Sequence, residues 1–255
     1  MMWPKERHQR ILSLLSSNQI VSANDLAGLL NVSRETVRRD LLALEKKGFV
    51  NRVHGGAVLP NKEHEAPFEN RRDKQIHAKQ KIARKAATLI APGSSIMVDA
   101  GTTTSAFGQA LAKLSGIMVI TNSIDIAQTI KAGGNDIELI LLGGHMVSDV
   151  PATYGELTLS EISRFNVDLA FIAPVAADAD QGAFSFALQE AEIARTMIAQ
   201  ARENIILCDH TKLGVSSRVC IAKANDINYI VTDEAANNEQ LSLFSSTSTE
   251  VIIAK

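Results

Sequence analysis

A chain of 255 residues, 45% of them hydrophobic, has room for one large domain or two ordinary ones and enough apolar side chains for a core. No apolar run is long enough to span a bilayer, which argues against a membrane protein. The net charge is −2, but residues 1–85 hold 17 Lys and Arg against nine Asp and Glu, whereas residues 86–255 hold nine against 19, so an anionic partner is expected at the N-terminal end only.

Three amphipathic helices with short turns are predicted at the N-terminus. Helical spacing of apolar residues places the first over about 4–17. Ser22 suits the N-cap of a second helix, which would end near Asn31, a residue that tolerates a left-handed turn. Ser33 suits the N-cap of a third, which Gly48 would end. The residues expected on the buried faces are Ile11, Leu14, Leu15, Leu26, Leu29, Leu30, Val37, Leu41 and Leu44.

A β-hairpin is predicted directly after the third helix. Residues 49–53 favour a strand, His54, Gly55 and Gly56 favour a tight tip, and residues 57–59 favour a returning strand. Helix, turn, charged helix and hairpin together form the winged helix-turn-helix pattern, in which the third helix enters the major groove of DNA. A helix that is charged only because it is solvated is the alternative. The complete helix-turn-helix spacing, the hairpin and the positive local charge favour a DNA-binding role for the third helix.

The stretch VSRETVRRDLLALEKKG followed by RVHGGA resembles the signature of the DeoR/GlpR family of bacterial transcriptional regulators. That signature combines a serine cap, a threonine three residues on, Arg-Arg-Asp, a Leu-x-x-Leu seam and a wing ending in Gly-Gly-Ala. The resemblance implies sequence-specific binding to double-stranded operator DNA, with some arginines on guanine and others on phosphates. The expected DNA-binding residues are Ser33, Arg34, Glu35, Thr36, Arg38, Arg39, Arg52, His54 and Gly55.

A linker is predicted over residues 60–73, which contain two prolines, many charges and few apolar residues. It would separate a DNA-binding domain at 1–59 from a second domain at 74–255. A basic helix over about 73–90 would open the second domain. Its cations either extend the positive surface or are simply solvated: Lys79, Lys81, Arg84 and Lys85.

Short apolar runs alternate with helical patterns through the second domain. This alternation predicts an α/β fold with a mostly parallel, Rossmann-like sheet covered by helices on both faces. Ligands of such sheets bind at the carboxyl ends of the strands. The runs lie at 95–99, 117–121, 137–144, 169–176, 204–209 and 229–233.

Polar residues follow several of these predicted strands. Residues 99–104, Asp-Ala-Gly-Thr-Thr-Thr, combine hydroxyls, close backbone approach at a glycine and free helix N–H groups, which suits a phosphate. Ordinary helix capping explains the same residues. Asn122, Gly143 and Lys212 follow other strands, where each could contact a ligand or only shape a turn. Several polar groups at one sheet edge favour a ligand site.

The second domain also resembles the effector domain of the DeoR/GlpR family, in DAGTTT, TNS, LGG, Tyr154-Gly155, EAE at 190–192 and D-x-T-K-x-G at 209–214. The resemblance implies a fold like that of ribose-5-phosphate isomerase and a small-molecule effector, a sugar phosphate or a sugar acid. Two stretches depart from the family pattern: 173–178 lacks a Gly-Val-Asp-Gly-like segment, and His210-Thr211 replaces Ser-Ser. The implied effector-binding residues are Asp99, Gly101, Thr102, Thr103, Thr104, Asn122, Gly143 and Lys212.

Other features narrow the functional class. Cys208 and Cys220 lack CxxC spacing, which argues against a disulfide framework and fits a reducing, cytoplasmic setting. Charges within the first twenty residues argue against a signal peptide. His145 and His210 have no further ligand at a metal-like spacing, so no metal is expected, and no cofactor is expected either.

These patterns together predict a transcriptional regulator, not an enzyme: a repressor of a carbohydrate or sugar-acid catabolic operon. A homo-oligomer, dimer or tetramer, is expected because helix-turn-helix proteins bind paired half-sites. The alternative is a sugar-phosphate isomerase with an appended DNA-binding domain, against which the missing acid at 173–178 argues. A third possibility is a nucleic-acid binder controlled by salt and not by sequence.

Overall fold

The computed structural model describes residues 4–18, 20–46, 49–53, 55–58, 65–244 and 247–255. The chain divides into two compact units, Met1–Glu65 and Ala66–Lys255. Within the described residues, no helix is both long enough and apolar enough to cross a bilayer.

Three helices of the first unit surround a shared core, as predicted. They are α1 (Pro4–Asn18), α2 (Ala23–Leu30) and α3 (Arg34–Lys46). The core contains Ile11, Leu15, Leu26, Leu30, Val37, Leu41 and Leu44. One predicted core residue is wrong: Leu29 is 59% exposed. Helix α2 has only eight residues. Leu26 and Leu30, one turn apart, form the buried face of this helix, and Leu29 lies outside that face.

A small antiparallel sheet completes the first unit. Its strands are β1 (Ile20–Ser22), β2 (Asn51–Val53) and β3 (Gly56–Val58), in the order β1-β3-β2. The hairpin of β2 and β3 was predicted, but β1 was interpreted only as an apolar lead into α2. Strand β1 pairs with β3 across more than thirty residues of sequence, which local patterns do not reveal. The predicted helix stop at Gly48, and Leu59, lie outside the described residues.

A seven-stranded sheet forms the centre of the second unit. Its strands are β4 (Ser95–Val98), β5 (Ile117–Thr121), β6 (Ile137–Leu141), β7 (Val167–Ile172), β10 (Ala201–Leu207), β12 (Tyr229–Asp233) and β13 (Glu250–Ala254). They lie in the order β13-β12-β10-β7-β4-β5-β6, and every pairing is parallel. The predicted α/β fold with a parallel sheet is confirmed. Strand β13 was not predicted.

Helices and a second small sheet accompany the parallel sheet. The helices are α4 (Phe68–Arg72), α5 (Ile76–Ala87), α6 (Thr102–Leu111), α7 (Ile124–Gly133), α8 (Glu156–Ile162), α9 (Leu188–Ala199) and α10 (Asn238–Ser242). Strands β8 (Ala176–Asp178), β9 (Gly182–Ser185) and β11 (Val219–Ala222) form an antiparallel sheet in the order β11-β9-β8. This sheet was not predicted, because segments of three or four residues are too short to show a period.

The segment predicted to be a linker differs in its second half. Phe68 begins α4, is buried, and donates its N–H to Asp149 Oδ2 at 2.5 Å. Residues 66–73 therefore belong structurally to the second unit. The basic helix is also shorter than predicted, and Lys79 lies on its buried face with 3% exposure. Lys79 does not extend a positive surface, because it follows the apolar spacing of α5 between Ile76 and Ile82.

Candidate functional site

The turn between α2 and α3 fixes where α3 begins. Asn31 has a left-handed φ of 51° and its N–H donates to the Gly28 carbonyl at 3.3 Å, which ends α2. Ser33 Oγ accepts the Thr36 N–H at 3.2 Å, and the two hydroxyls lie 2.9 Å apart. Ser33 thus caps α3, and only three residues separate the two helices. This is helix-turn-helix geometry.

One face of α3 is charged and exposed. On its opposite face Val37, Leu41 and Leu44 are buried in the core. Arg39 Nε lies 3.6 Å from Glu35 Oε1, an exposed pair that solvent weakens. Both side chains can therefore rearrange on a partner at little cost. Thr36, which lies on the same stretch of α3, is half-buried. The exposed charged residues are Arg34, Glu35, Arg38 and Arg39.

Asp40 directly follows these exposed arginines in the sequence, but it is buried. Its carboxylate accepts from Arg7 Nε at 2.5 Å and Nη2 at 2.9 Å, and lies 3.1 Å from His8 Nε2. The hydrogen bond to Asp40 raises the pKa of Arg7. Asp40 thus joins α1 to α3. Its spacing from Val37 and Leu44 gave a sequence signal of this, since all three share one helix face.

The wing places one cation on the surface. Gly55 turns the hairpin with a φ of 84°, where glycine is favoured. A Cβ at Gly56 would lie 2.4 Å from a main-chain oxygen of β1, so a larger residue does not fit. Arg52 is exposed, with Nη1 3.7 Å from Glu45 Oε2. His54, predicted to bind DNA, lies outside the described residues.

The strand order of the second unit reverses beside β4. From β4 the chain adds β5 and β6 on one side, then β7, β10, β12 and β13 on the other. The loops that follow β4 and β7 therefore leave the sheet in opposite directions. Such a switch point opens a crevice at the carboxyl ends of the strands, where ligands bind in open α/β sheets.

Asp99 lies at this switch point, directly after β4. It is 8% exposed, and its Oδ1 accepts the N–H of Ala173, which follows β7, at 3.1 Å. The pKa of Asp99 is raised to about 8, because the effect of burial, with that of Glu190, outweighs the hydrogen bond from Ala173 and the charge of Lys212, which lower it. Asp99 therefore holds a proton near neutral pH.

Two side chains, one at the start of α6 and one after β5, carry polar atoms that make no hydrogen bond within the described residues. Thr104 Oγ1 donates to the Gly101 carbonyl, three residues earlier in the chain, at 3.0 Å. Asn122 Nδ2 donates to the Thr153 carbonyl at 2.9 Å. Yet Thr103 Oγ1 and Asn122 Oδ1 are buried without a hydrogen-bond partner among the residues that the structure describes. Buried polar atoms of this kind are expected to meet a ligand or water. Thr102 is also buried at the same helix start.

The other two predicted ligand residues differ in what their polar groups contact. Lys212 Nζ donates to the carbonyl of Pro174, after β7, at 2.8 Å. Lys212 thus reaches the same loop as Asp99. Gly143 instead donates its N–H to Glu161 Oε2 at 2.6 Å and accepts from Thr158 Oγ1 at 2.6 Å. Both main-chain groups of Gly143 therefore bind α8.

Comparison with protein families matches both units. A model of the DeoR-like helix-turn-helix domain matches residues 7–63, and a model of the DeoR C terminal sensor domain matches residues 74–234. The chain belongs to the DeoR family of transcriptional regulators. Members of this family bind DNA through the helix-turn-helix and sense an effector through the C-terminal domain. This DeoR-family chain is accordingly a regulator and not an enzyme.

Relatives of this DeoR-family regulator align over most of their length. The HTH-type transcriptional regulator GolR of Listeria innocua is 33% identical over 100% of both chains. The HTH-type transcriptional repressor GlcR of Bacillus subtilis is 33% identical over 100% of this chain and 98% of its own. The glycerol-3-phosphate regulon repressor of Escherichia coli is 32% identical over 89% and 90%. Among solved structures, ribose 5-phosphate isomerase A of Methanocaldococcus jannaschii aligns with 17% identity and a TM-score of 0.37 over 52% of each chain.

The sensor domain of the DeoR-family regulator holds two further titratable groups, Lys79 and Tyr154, to which the sequence analysis gave no ligand role. Lys79 is close enough to Lys212, Asp209 and Arg71 for their charges to shift its pKa. Tyr154 is buried, and burial, reinforced by Glu190, raises its pKa. The spacing of Lys79 on the apolar face of α5 was a signal in the sequence, but only the fold brings it to the strand ends.

Of the two histidines considered for metal binding, His210 uses its ring and His145 its main chain in contacts with other residues. His210 Nδ1 lies 2.9 Å from Asp233 Oδ2, and His145 forms an isolated bridge with Tyr154. Within the described ranges, no three His, Cys, Asp or Glu residues group in a way that could hold a metal ion. Asp178, in the stretch that departs from the family pattern, accepts the N–H groups of Asp180 and Gln181 and so shapes the β8–β9 turn.

Proposed function

We propose that this DeoR-family regulator represses a carbohydrate or sugar-acid catabolic operon, and that a phosphorylated sugar or sugar acid weakens its hold on the operator. The observation on which this rests is the set of groups at the switch point. Lys212 supplies a positive charge, and Thr103 and Asn122 each supply a buried polar atom without a described partner. Together they match an anion joined to a hydroxylated carbon chain.

The protonation of Asp99 favours the same ligand class. An ionised carboxylate at this position would repel a phosphate or an acid, whereas a protonated carboxyl donates a hydrogen bond to it. Because burial raises the pKa of Asp99 to about 8, the protonated form prevails at neutral pH. A DeoR relative that is 32% identical is named a glycerol-3-phosphate regulon repressor, and this name also supports a phosphorylated effector.

On the DNA side, we propose that α3 enters the major groove. Its base-reading and phosphate contacts would come from the exposed residues of its first two turns, with Arg52 and Gly55 of the wing on the backbone. We further propose a dimer or tetramer, which would present paired α3 helices to two half-sites in the bacterial cytoplasm. The proposed DNA-binding domain is 1–59, and the proposed effector domain, predicted at 74–255, also includes residues 66–73.

A DNA-binding titration with effector candidates tests this function. The probe is the labelled DNA that precedes the gene, compared with scrambled DNA of equal length in fluorescence anisotropy. We expect tighter binding to the former, and loss of this preference with one member of a panel of sugar phosphates, glycerol 3-phosphate and sugar acids. The matching unphosphorylated sugars are the controls. Equal binding to both DNAs, or no response to any panel member, would contradict the function.

A further inference from the structure

A cleft opens in the second unit at the edge where the parallel strands begin, opposite to the switch point. Its volume is about 710 Å³, which is within the range of small-molecule sites. The C-terminal half of α9 forms one wall, and residues 220–228, which lead from β11 to β12, form the other. Arg202 lies near the start of β10, and Asn228 directly precedes β12. Among the described residues that line this cleft, none belongs to the switch point.

Positive charge is concentrated at this cleft. Residues 86–255 hold nine Lys and Arg against 19 Asp and Glu. Three of these nine cations line the cleft, namely Arg195, Arg202 and Lys223, and Asp226 is the one acid among the described lining residues. An excess of cations in an otherwise acidic part of the chain creates a local potential that attracts an anion.

Two of the three cations are exposed and can turn toward a ligand. The Arg202 side chain is 83% exposed, and its Nη1 lies 3.8 Å from Asp168 Oδ1, so water weakens this pair. Lys223 is exposed as well. An ammonium and a guanidinium both donate to phosphate oxygens, and neither side chain has to break a buried contact to do so. These two side chains therefore suit the anionic end of a ligand.

Arg195, by contrast, is fixed between α9 and β11. Its Nε donates to the Cys220 carbonyl at 2.8 Å, and its guanidinium also pairs with Glu192, which balances part of its charge. A guanidinium held in one plane can stack on the face of an aromatic ring. The buried Ile198 and Ile221 line the same cleft and give it an apolar floor. A flat ring fits between such groups, whereas a sugar phosphate has no flat ring to place there.

Three asparagines complete the lining: Asn204, Asn225 and Asn228. Asn204 is 8% exposed, and its Nδ2 donates to the Asp226 carbonyl at 3.0 Å. Its Oδ1 is buried without a hydrogen-bond partner among the residues that the structure describes. A buried acceptor without a donor costs free energy, which an N–H group of a ligand would recover. Asparagine amides carry both a donor and an acceptor, the combination that pairs with the edge of a nucleobase.

We propose that this cleft binds a nucleoside monophosphate, at a site separate from that of the effector. The phosphate contacts Arg202 and Lys223, and the base lies against Arg195 and the apolar floor. The asparagine amides bond the edge of the base. The inference goes beyond the proposed function, because it gives the sensor domain a second small-molecule ligand of a different chemical class.

Equilibrium dialysis of the full-length protein with AMP, GMP, CMP and UMP provides the test. We expect at least one nucleotide to bind, and inorganic phosphate, which lacks a base, to bind more weakly. The double variant Arg202→Met, Lys223→Met should lower nucleotide affinity at least about tenfold, a change of about 1.4 kcal/mol. Lys113→Met, Lys131→Met is the matched control, because it removes the same charge from exposed positions outside the cleft.

Hydrogen exchange with mass spectrometry locates the bound nucleotide. We expect slower exchange in residues 195–204 and 220–228, and no change in residues 99–104. Protection confined to 99–104 would overturn the proposal, as would unchanged affinity in the double variant or binding of none of the four nucleotides. Phosphate that binds as tightly as every nucleotide would overturn the role of the base.

A second variant keeps the test decisive if circular dichroism shows that the double variant is unfolded. Asn225 is exposed, so Asn225→Ala leaves the core intact. It should lower nucleotide affinity about fivefold, the usual effect of losing one hydrogen bond, and leave the weak binding of phosphate unchanged. Wild-type affinity of Asn225→Ala for the nucleotide would then overturn the proposal.

Discussion

At the scale of single residues, burial separates charged side chains that look alike in the sequence. Arg38 and Arg39 are exposed, while Asp40, the next residue, is buried and bonded to Arg7. Lys79 and Lys81 stand two positions apart on α5, yet only the second reaches the surface to pair with an acid. The helix face that a charged side chain occupies determines whether it can contact a partner or supports the fold. Single-residue substitutions therefore distinguish contact residues from structural ones.

Arg38→Ala is expected to weaken operator binding without destabilising the protein, because the side chain is exposed on α3 and its removal leaves no buried group unpaired. A base-reading role would remove about 1–3 kcal/mol of discrimination at one operator position, whereas a phosphate contact would lower affinity for all sequences and reduce the salt slope by about one. Anisotropy titrations at several salt concentrations separate the two. Operator affinity equal to wild type would remove Arg38 from the interface.

Asp99→Asn is expected to flatten the dependence of stability on pH. The folded pKa of Asp99, about 8, is raised above an unfolded value of about 3.9. The protonated carboxyl therefore makes its full contribution to the free energy of unfolding below about pH 4. This contribution is lost as the pH rises through 8, at up to about 1.4 kcal/mol per pH unit. Urea denaturation of both proteins between pH 4 and 8 measures the difference. Asp136 is exposed, so Asp136→Asn is the control. If the stability of Asp99→Asn depends on pH in the same way as that of the wild type, buried Asp99 does not hold a proton.

At the scale of elements, capping residues set where the DNA-facing helix begins. Ser22 Oγ accepts the Asp25 N–H at 3.1 Å and Ser33 Oγ accepts the Thr36 N–H at 3.2 Å. Asn31 closes α2 in a left-handed conformation, so Asn31 and Ser33 fix the two ends of the turn, and Ser22 fixes the start of α2. Each is a local interaction, which is why the sequence alone predicted these boundaries correctly.

Ser33→Ala is expected to destabilise the start of α3 by about 1 kcal/mol, the usual effect of losing an N-cap hydroxyl. Faster hydrogen exchange in the first turn of α3 measures this. Ser33→Asn restores an acceptor and should exchange nearly as slowly as wild type. If the alanine and asparagine variants behave alike, the hydroxyl does not stabilise the helix.

At the scale of the whole molecule, the basic first third of the sequence, residues 1–85, extends past the DNA-binding unit into the first helices of the sensor unit. The boundary at residue 65 leaves α4 and the adjacent α5 with the sensor. Each unit of this regulator has its own hydrophobic core, and the proposed assembly of two or four copies would present paired DNA-binding units to one operator.

A binding assay with altered operators tests that assembly. Paired helix-turn-helix units contact half-sites about 10 base pairs apart or a multiple of this distance. Inserting about five base pairs between the half-sites turns one of them to the opposite side of the duplex. We expect affinity to fall at least about tenfold and to recover with ten inserted pairs. Equal affinity for all three spacings would mean that single copies bind independently.

Local signals in the sequence determined most of the fold of this protein. Helical spacing, serine caps and alternating apolar runs depend on neighbours within a few residues, so they predicted α1 to α3, the wing and six strands of the parallel sheet. The exposed charged face of α3 and the candidate ligand residues after β4, β5 and β10 were predicted from the same patterns. The pairing of β1 with β3 and the small sheet of β8, β9 and β11 did not, because their partners are distant in sequence.

The tertiary structure alone decided which polar groups meet. It buried Lys79 and Asp99, and it joined the loops after β4 and β7 through the Asp99–Ala173 hydrogen bond. It also turned Gly143 toward α8, with both main-chain groups already bonded. Burial and long-range contact arise from packing of the whole chain, and they control pKa and ligand access. The sequence therefore determined that this is a DNA-binding regulator, and the fold determined where its sensor concentrates positive charge.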